Sequence, residues 1–265
     1  MSSEELNHKD EVRRQFGATA SDYVTSSAHA SGHDLELLAS WSEGGPDRSL
    51  LDVATGGGHT ALRLSSLYGR VVASDITQEM LAAAERFVRA EGRENIEFVV
   101  ADAESLPMED ETFDAVSCRI APHHFPHPDR FVAEAFRVLR SGGIFLFEDS
   151  ITPDDHVLSD VLNTVEHLRD PTHVRSLTQP EWIVLVTQAG FSLEESAIDR
   201  KRHDLSDWMD RSRTPYARRQ KIQEILIRAG EPAAIAFGLE FDDGTCVAFT
   251  DEKLLLKARN LQLPA

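Results

Sequence analysis

The chain has 265 residues, in which 45 Asp and Glu residues against 27 Lys and Arg residues give a formal net charge of −18. This excess of acid disfavours DNA and RNA as partners, because nucleic-acid binding normally requires a basic face. The polar start, MSSEELNHKDEV, leads us to expect no signal peptide, and no stretch approaches the roughly 20 apolar residues of a membrane span. Two distant cysteines, Cys118 and Cys246, form no CxxC motif, so we expect a cytoplasmic protein.

Helical patterns fill the first 40 residues, and short apolar runs then alternate with helical patterns from about residue 48 to 150. The runs predict strands at residues 49–53, 70–74, 96–100, 113–118 and 144–147. The intervening patterns predict helices at residues 60–68, 78–91 and 129–140. Strands that alternate with helices predict a parallel sheet with helices on both faces, and ligands of such sheets bind at the carboxyl ends of the strands.

The regularity fades after residue 150. We predict an inserted helix and a loop over residues 151–180, a strand at 191–198 and a helix at 215–229. Two further runs, 237–241 and 246–249, flank DDGT, which is typical of a hairpin turn. Residues 254–257 are predicted to form the last strand.

The stretch LDVATGGGHTALRL, residues 50–63, is an apolar run that leads into an acid and then three glycines. A Walker phosphate loop would end in G-K-[ST], whereas here His59 and Thr60 follow the glycines. A dinucleotide loop would need glycines where Ala54 and His59 stand. A third kind of ligand, another adenosine-bearing molecule, fits the sequence better.

Acidic residues follow the next two strands. Asp75 ends the second strand, where a carboxylate can accept hydrogen bonds from ribose hydroxyls. Asp102 follows the third strand, where it can accept from the exocyclic amine of adenine while the Ala103 amide donates to a ring nitrogen. Either acid alone is consistent with an ordinary solvated turn, but the ordered set predicts an adenosine site without a pyrophosphate clamp.

Four stretches together resemble a known family: LDVATGGGHTA, VVASDITQEML, VVADAESLPMEDETFDAVSCR and FVAEAFRVLRSGGIFLFED. They are similar to class I S-adenosylmethionine-dependent methyltransferases, in particular the ubiquinone/menaquinone C-methyltransferase-like branch (methyltransferase type 11). The resemblance is close over residues 48–150, with Ala54 standing where many members have glycine. It implies an α/β fold with a doubly wound, Rossmann-like sheet of seven strands in the order 3-2-1-4-5-7-6. Strand 7 would be antiparallel, with N-terminal helices and an inserted helical cap around the sheet.

The resemblance also implies an organisation and a set of roles. We expect one domain over residues 1–265, with a helical lid at 1–45, a cofactor-binding core at 46–150 and a cap insertion with C-terminal strands at 151–265. Phe16 and Tyr23 of the lid would face inward, towards S-adenosyl-L-methionine. The remaining cofactor residues would divide by the part of the ligand they meet: the methionine part at Asp52, Ala54, Gly56 and Gly58, the ribose at Asp75, the adenine at Ile76, Met80, Asp102 and Ala103, and the carboxylate at Arg119.

The acceptor is less constrained. The segment SCRIAPHHFPHPDRF lacks the N/D-P-P-Y-like residues of amide and base-amino methyltransferases, which favours a small molecule methylated at carbon, oxygen or sulfur, such as a quinone-like or aromatic acceptor. His123 or His124 is expected to act as a general base, with Arg175 orienting the acceptor. The histidines of this segment, His127 included, could instead be structural or bind a metal, although we expect no metal.

Two functions therefore stay open from the sequence: a small-molecule methyltransferase, and an S-adenosylmethionine-binding protein of the same fold that transfers no methyl group. Neither function requires nucleic acid or a membrane span. The oligomeric state, monomer or homodimer, is left open.

Overall fold

The computed structural model describes residues 3–24 and 32–262, and the side chains of residues 4–20 and 32–262. Two helices come first, α1 (Ser3–Val24) and α2 (His33–Trp41). Strands and helices then alternate: β1 (Gly45–Val53), α3 (His59–Leu64), β2 (Tyr68–Asp75), α4 (Gln78–Ala90), β3 (Ile96–Val100), β4 (Phe113–Arg119), α5 (Pro128–Val138) and β5 (Leu139–Ile151).

The rest of the described chain adds helices and a second group of strands: α6 (His156–Arg169), α7 (Gln179–Gln188), β6 (Phe191–Asp204), α8 (Leu205–Arg211), α9 (Tyr216–Arg228), α10 (Gly230–Ala236), β7 (Glu240–Asp242) and β8 (Thr245–Asn260). Within the described residues, 3–24 and 32–262, none of the helices is long and apolar enough to cross a membrane.

One sheet organises the described residues, in the order β3-β2-β1-β4-β5-β8-β6. Strands β1 to β5 pair in parallel, while β8 runs antiparallel to both β5 and β6. With β8 as the family's seventh strand, the expected order and the expected antiparallel strand are confirmed. The short β7 pairs with β8 across the predicted DDGT turn, which confirms the hairpin, and it is an eighth strand beyond the seven that the resemblance implied.

Several predicted boundaries were wrong. The predicted strands 246–249 and 254–257 are parts of one 16-residue strand, β8. The helix predicted to reach residue 68 ends at Leu64, because buried Tyr68 opens β2 and its hydroxyl accepts a hydrogen bond from Ser42 Oγ at 2.8 Å. The helix predicted to reach residue 140 ends at Val138, where β5 begins.

The central strands are buried on both faces, which is why they appear in the sequence as continuous apolar runs. In β1, Leu51 and Val53 pack into the core on one face, which also holds Trp182 of α7. Leu50 packs into the core on the opposite face, with Leu38 of α2. Because β1 to β4 are parallel, the loops that follow them meet at one edge of the sheet.

Candidate active site

A cavity of about 560 Å³ lies at this carboxyl edge. Its walls come from α1, from the loops after β1 to β4, and from the later strands and helices beyond residue 150. The volume is within the range of about 300–1,000 Å³ that is typical of small-molecule sites. Thirteen of the expected site residues can therefore be compared with the lining of this cavity: His123, His124, Arg175, Asp52, Ala54, Gly56, Gly58, Asp75, Ile76, Met80, Asp102, Ala103 and Arg119.

The loop after β1 reaches the cavity through Ala54 and Gly56. Both have positive φ, +52° at Ala54 and +55° at Gly56, so the alanine occupies a conformation that favours glycine. A Cβ placed on Gly56 would meet no atom within 4 Å and would enter open space. Gly58 differs, because a Cβ there would lie 3.1 Å from Ala84 Cβ of α4. Gly56 thus faces the cavity, whereas Gly58 allows close helix packing and does not line it.

Asp52 supports the loop from beneath. Its carboxylate is buried and accepts hydrogen bonds from the Thr55 and Ser117 hydroxyls, each at 2.6 Å. Burial raises the pKa of Asp52 to about 6, against the lowering effect of the Ser117 and Thr55 hydroxyls. Asp52 does not line the cavity, and its hydrogen bonds hold the loop, so its expected contact with a ligand stays a prediction.

Asp75 lines the cavity together with Ile76 and Met80. Its carboxylate accepts hydrogen bonds from the backbone N–H groups of Gly56 at 3.1 Å and Thr77 at 2.9 Å. Burial raises the pKa of Asp75, and these amide donors oppose the rise. Within the described residues the buried Thr77 hydroxyl has no hydrogen-bond partner. The tip of β2 therefore presents a fixed carboxylate beside a polar group without a protein partner.

Asp102 and Ala103 also line the cavity, where α1 covers them. Lys9 of α1 donates to Asp102 Oδ2 at 2.7 Å and to Glu104 Oε2 at 2.6 Å. Burial alone would lower the pKa of Lys9, but the two carboxylates raise it, so the ammonium stays charged. Phe16 of α1 lines the cavity as expected, whereas the side chain of Tyr23 lies outside the described residues.

His123 lies in a 3₁₀ turn after β4, Pro122–His124, and lines the cavity. Its Nδ1 is 2.7 Å from Oδ1 of Asp149, a fully buried carboxylate in β5. Burial would lower the pKa of His123, but the charge and hydrogen bond of Asp149 raise it above the ordinary value. A neutral imidazole in this arrangement donates from Nδ1 and keeps Nε2 as the acceptor, which is the geometry of a general base with its orienting acid.

His124 is in a different state. Its Nδ1 donates to the Thr172 carbonyl at 2.9 Å. Burial, followed by the charge of His123, lowers the pKa of His124 to about 3, so it stays neutral and is a weak base. His173 is also buried at the cavity wall, and its pKa is lowered to about 2 for the same reasons. Of the two histidines expected to act in catalysis, His123 alone has an acid partner among the described side chains.

His127 takes a structural position, since its backbone N–H donates to Glu104 Oε1 at 2.6 Å and its ring bonds to Glu5 of α1. A search of the described residues finds no group of three or more histidine, cysteine or carboxylate side chains that could hold a metal ion.

Two expected arginine contacts differ from the structure. Arg119 does not line the cavity, because its buried guanidinium bonds to Asp34 of α2 and to Glu148 at 2.8 Å. Arg175 donates its backbone N–H to the His123 carbonyl at 3.1 Å, but its half-exposed guanidinium binds Glu181 at 2.7 Å. The expectation that Arg175 orients the acceptor therefore gains no support, since Arg175 does not line the cavity and its guanidinium is paired with Glu181.

Sequence reasoning missed three groups that the structure brings to or beside the cavity. One is Asp149, for which the acid at the end of FLFED was the available signal. Another is the Lys9 and Glu104 pair around Asp102. The third comprises charged residues of β6 and β8 that carried no recognisable motif: Lys201, His203, Asp251 and Lys253.

Comparison with known proteins agrees with this geometry. The methyltransferase domain family, Methyltransf_11, matches residues 51–147. YcgJ, an uncharacterized methyltransferase of Bacillus subtilis, is 34% identical over 248 residues, which cover 91% of this chain and 96% of YcgJ. A crystal structure from Bacillus halodurans, assigned as a methyltransferase, is 36% identical with a TM-score of 0.85 and covers 87% of this chain and 100% of its own.

A narrower similarity concerns the C-methyltransferases of ubiquinone and menaquinone biosynthesis. UbiE of Brucella canis is 42% identical over 105 residues, which are 38% of this chain and 39% of UbiE. YcgJ, in contrast, matches almost the whole chain, and the sheet has the strand order expected of the family. The protein is therefore an enzyme of the class I S-adenosylmethionine-dependent methyltransferase family.

Proposed function

We propose that the protein transfers a methyl group from S-adenosylmethionine to carbon, oxygen or sulfur of a small-molecule acceptor, with His123 as the general base. The observation that carries this proposal is the 2.7 Å contact between His123 Nδ1 and the fully buried Asp149 at the cavity wall. A quinone-like or aromatic acceptor is the class that the partial similarity to UbiE favours.

The residues that line the first half of the cavity, which comprises the lining residues up to residue 126, fit the cofactor. Open space at Gly56 leaves room for a ligand against the loop backbone, and the fixed Asp75 carboxylate lies beside it. The Thr77 hydroxyl, which has no partner among the described residues, would gain one. We propose that Ala54 and Gly56 contact the methionine part, Asp75 holds the ribose, and Ile76, Met80, Asp102 and Ala103 surround the adenine.

When bound, the cofactor would supply a methyl group already activated by a sulfonium. Asp149 would hold His123 in the tautomer that leaves Nε2 free to accept a proton from the acceptor. Because Asp149 raises the pKa of His123, the base form grows as the pH rises above the ordinary histidine range. His124, hydrogen-bonded to Thr172, would shape the wall as a neutral group.

We further propose that residues 1–45 act as a lid and residues 151–180 as a cap, around a core at 46–150 within one domain. Support comes from α1, which contributes Lys9 and Phe16 to the cavity wall, and from α6, which contributes Glu166 and Arg169. Excluding water would favour displacement at a sulfonium. The two cysteines are buried and free, which supports a reducing, cytoplasmic setting for the reaction.

The test is single-turnover release of S-adenosylhomocysteine over a panel of small aromatic and quinone-like acceptors. Loss of a general base typically lowers the rate by about 10²–10⁴-fold, so the rate of His123→Ala should be lower than that of the wild type by a factor in this range. The exposed His156 of α6 is a matched control, and His156→Ala should leave the rate unchanged. Calorimetry with S-adenosylhomocysteine verifies that the site is intact. If the rate of His123→Ala is less than about tenfold below that of the wild type and S-adenosylhomocysteine binding is unchanged, catalysis would rest on the alignment of acceptor and methyl donor and not on a general base.

A further inference from the structure

The second half of the cavity has a floor made by one face of the sheet. Strands β5, β8 and β6 are neighbours there, and Lys253 of β8 is in register with Ser150 of β5. Asp251, two residues before Lys253, is in register with Lys201 of β6. All four side chains line the cavity, so the antiparallel pairing places charged groups of distant sequence on one surface.

Charge is distributed unevenly between the two halves. Up to residue 126, the described lining residues include one lysine against three acids: Lys9, Asp75, Asp102 and Glu104. From residue 150 onwards, they include five cationic residues: Arg169, Lys201, Arg211, Arg213 and Lys253. Four acids accompany them: Glu166, Asp170, Asp210 and Asp251. The whole chain has 27 basic and 45 acidic residues, whereas in the second half of the cavity the cationic residues outnumber the acids. These cations suit an anionic ligand.

Lys253 is the most buried of these cations, with its side chain 6% exposed. Its ammonium donates to Asp251 Oδ2 at 2.5 Å and lies 3.5 Å from Ser150 Oγ. Asp251 is in turn 3.1 Å from His203 Nε2. An ammonium has three donors, and these two are the partners that the structure gives Lys253 within residues 3–24 and 32–262. The third donor is available to a ligand in the cavity.

The position of Lys253 relative to His123 follows from β5. Ser150, which is in register with Lys253, directly follows Asp149, and Asp149 Oδ1 is 2.7 Å from His123 Nδ1. His123, Ser150 and Lys253 all line the same cavity. A molecule anchored at Lys253 would therefore extend towards His123. Five cationic residues against four acids leave the lining of this half with one formal positive charge, which matches a monoanion.

We propose that the methyl acceptor carries a carboxylate, which Lys253 binds with help from Lys201, while the rest of the acceptor extends to His123. This assignment rests on the proposed function and names the acceptor class for the same site. Asp251 holds the Lys253 ammonium in place, and the reacting atom lies at the other end of the molecule. Lys253 and Lys201 take over the role that the sequence suggested for Arg175.

Binding in the presence of saturating S-adenosylhomocysteine tests the proposal without requiring turnover. Benzoate, benzamide and phenyl phosphate share a ring and differ in the charge of the attached group. By NMR titration, the wild type should bind benzoate at least tenfold more tightly than benzamide. Lys253→Met should remove this preference, and benzamide binding should not change.

Lys257, also in β8, is the matched control because it is ion-paired with Glu43 and Glu194 and does not line the cavity. Lys257→Met should retain the preference for benzoate. Since Lys253→Met leaves Asp251 buried without its partner, Lys201→Met is the second variant, at a partly exposed position. It should weaken benzoate binding about three- to tenfold, with the benzamide affinity unchanged.

Equal binding of benzoate and benzamide to the wild type would overturn the proposal, as would a preference that survives both Lys253→Met and Lys201→Met. If phenyl phosphate binds tenfold more tightly than benzoate, the proposal that the acceptor carries a carboxylate would be wrong, and the floor would bind a phosphate group instead. If the wild type fails to bind S-adenosylhomocysteine, the proposed function fails and this inference with it. If that binding is intact and the preference is absent, the carboxylate site alone fails.

Discussion

Replacing Gly56 by alanine separates the cost of backbone strain from the loss of ligand space. Gly56 has φ +55°, so Gly56→Ala should destabilise the fold by about 1 kcal/mol, the approximate cost of a left-handed residue with a Cβ. Its Cβ would meet no protein atom within 4 Å and would occupy the cavity beside the loop. We therefore expect the affinity for S-adenosylhomocysteine to fall at least tenfold, which corresponds to about 1.4 kcal/mol.

Two other glycines serve as controls for this prediction. Gly92 has φ +74° and equally open surroundings, but it lies at the end of α4 and outside the cavity, so Gly92→Ala should cost similar stability and leave binding intact. Gly58→Ala would place its Cβ 3.1 Å from Ala84 Cβ, so it should destabilise the fold more and affect binding less than threefold. Denaturant unfolding and calorimetry measure both quantities. Binding of Gly56→Ala within threefold of the wild type would refute the assignment of the loop.

Three further predictions concern single side chains. Asp75→Ala should weaken S-adenosylhomocysteine binding about 10- to 100-fold by calorimetry, because charge-assisted hydrogen bonds contribute about 1.5–3 kcal/mol; an unchanged affinity would show that Asp75 does not contact the ligand. Asp149→Asn should lower the rate about tenfold or more and move the midpoint of its pH profile downwards, because the charge that raises the pKa of His123 is lost; an unmoved midpoint would contradict the pairing. His173 is neutral when folded, with a pKa lowered to about 2, so it stabilises the fold above pH 6.5 and this contribution is lost as the pH falls. Below pH 6.5 the free energy of unfolding of His173→Gln should therefore decline less steeply than that of the wild type, with a slope that differs by about 1.4 kcal/mol per pH unit. Urea titrations at several pH values measure both slopes, and equal slopes would contradict the prediction.

The first half of the cavity, up to residue 126, could be predicted from the sequence because β1, β2 and β4 end in runs that are buried on both faces. Such strands give uninterrupted apolar runs, and the residue after each run marks a position at the sheet edge. Asp75 was found in this way, and Asp102 follows the apolar run of the half-buried edge strand β3; both line the cavity. Asp52 occupies a similar position but points at Thr55 and Ser117, a difference that depends on side-chain direction and not on spacing.

The second half of the cavity, from residue 150 onwards, could not be predicted because its charged residues interrupt the apolar pattern of the strands. In β8 the run TDEK suggested a break between two strands, whereas Asp251 and Lys253 pair with each other and stay inside one strand. Asp149 similarly lies at the end of an apolar run but is fully buried against His123. Buried charges are expected to be paired, and the partners of these residues come from segments that are distant in sequence.

The two halves of the cavity come from separate segments of the chain, and this has a consequence for how homologues diverge. The matched domain, residues 51–147, contains the loops that we propose face the methyl donor, but none of the floor residues Ser150, Lys201, Asp251 and Lys253. On this proposal, substitutions after residue 147 would change which acceptor binds without disturbing the residues that hold the methyl donor. Homologues that share only residues 51–147 are therefore expected to use the same methyl donor and to differ in their acceptors. Conservation of the floor residues would then identify the homologues that share an acceptor.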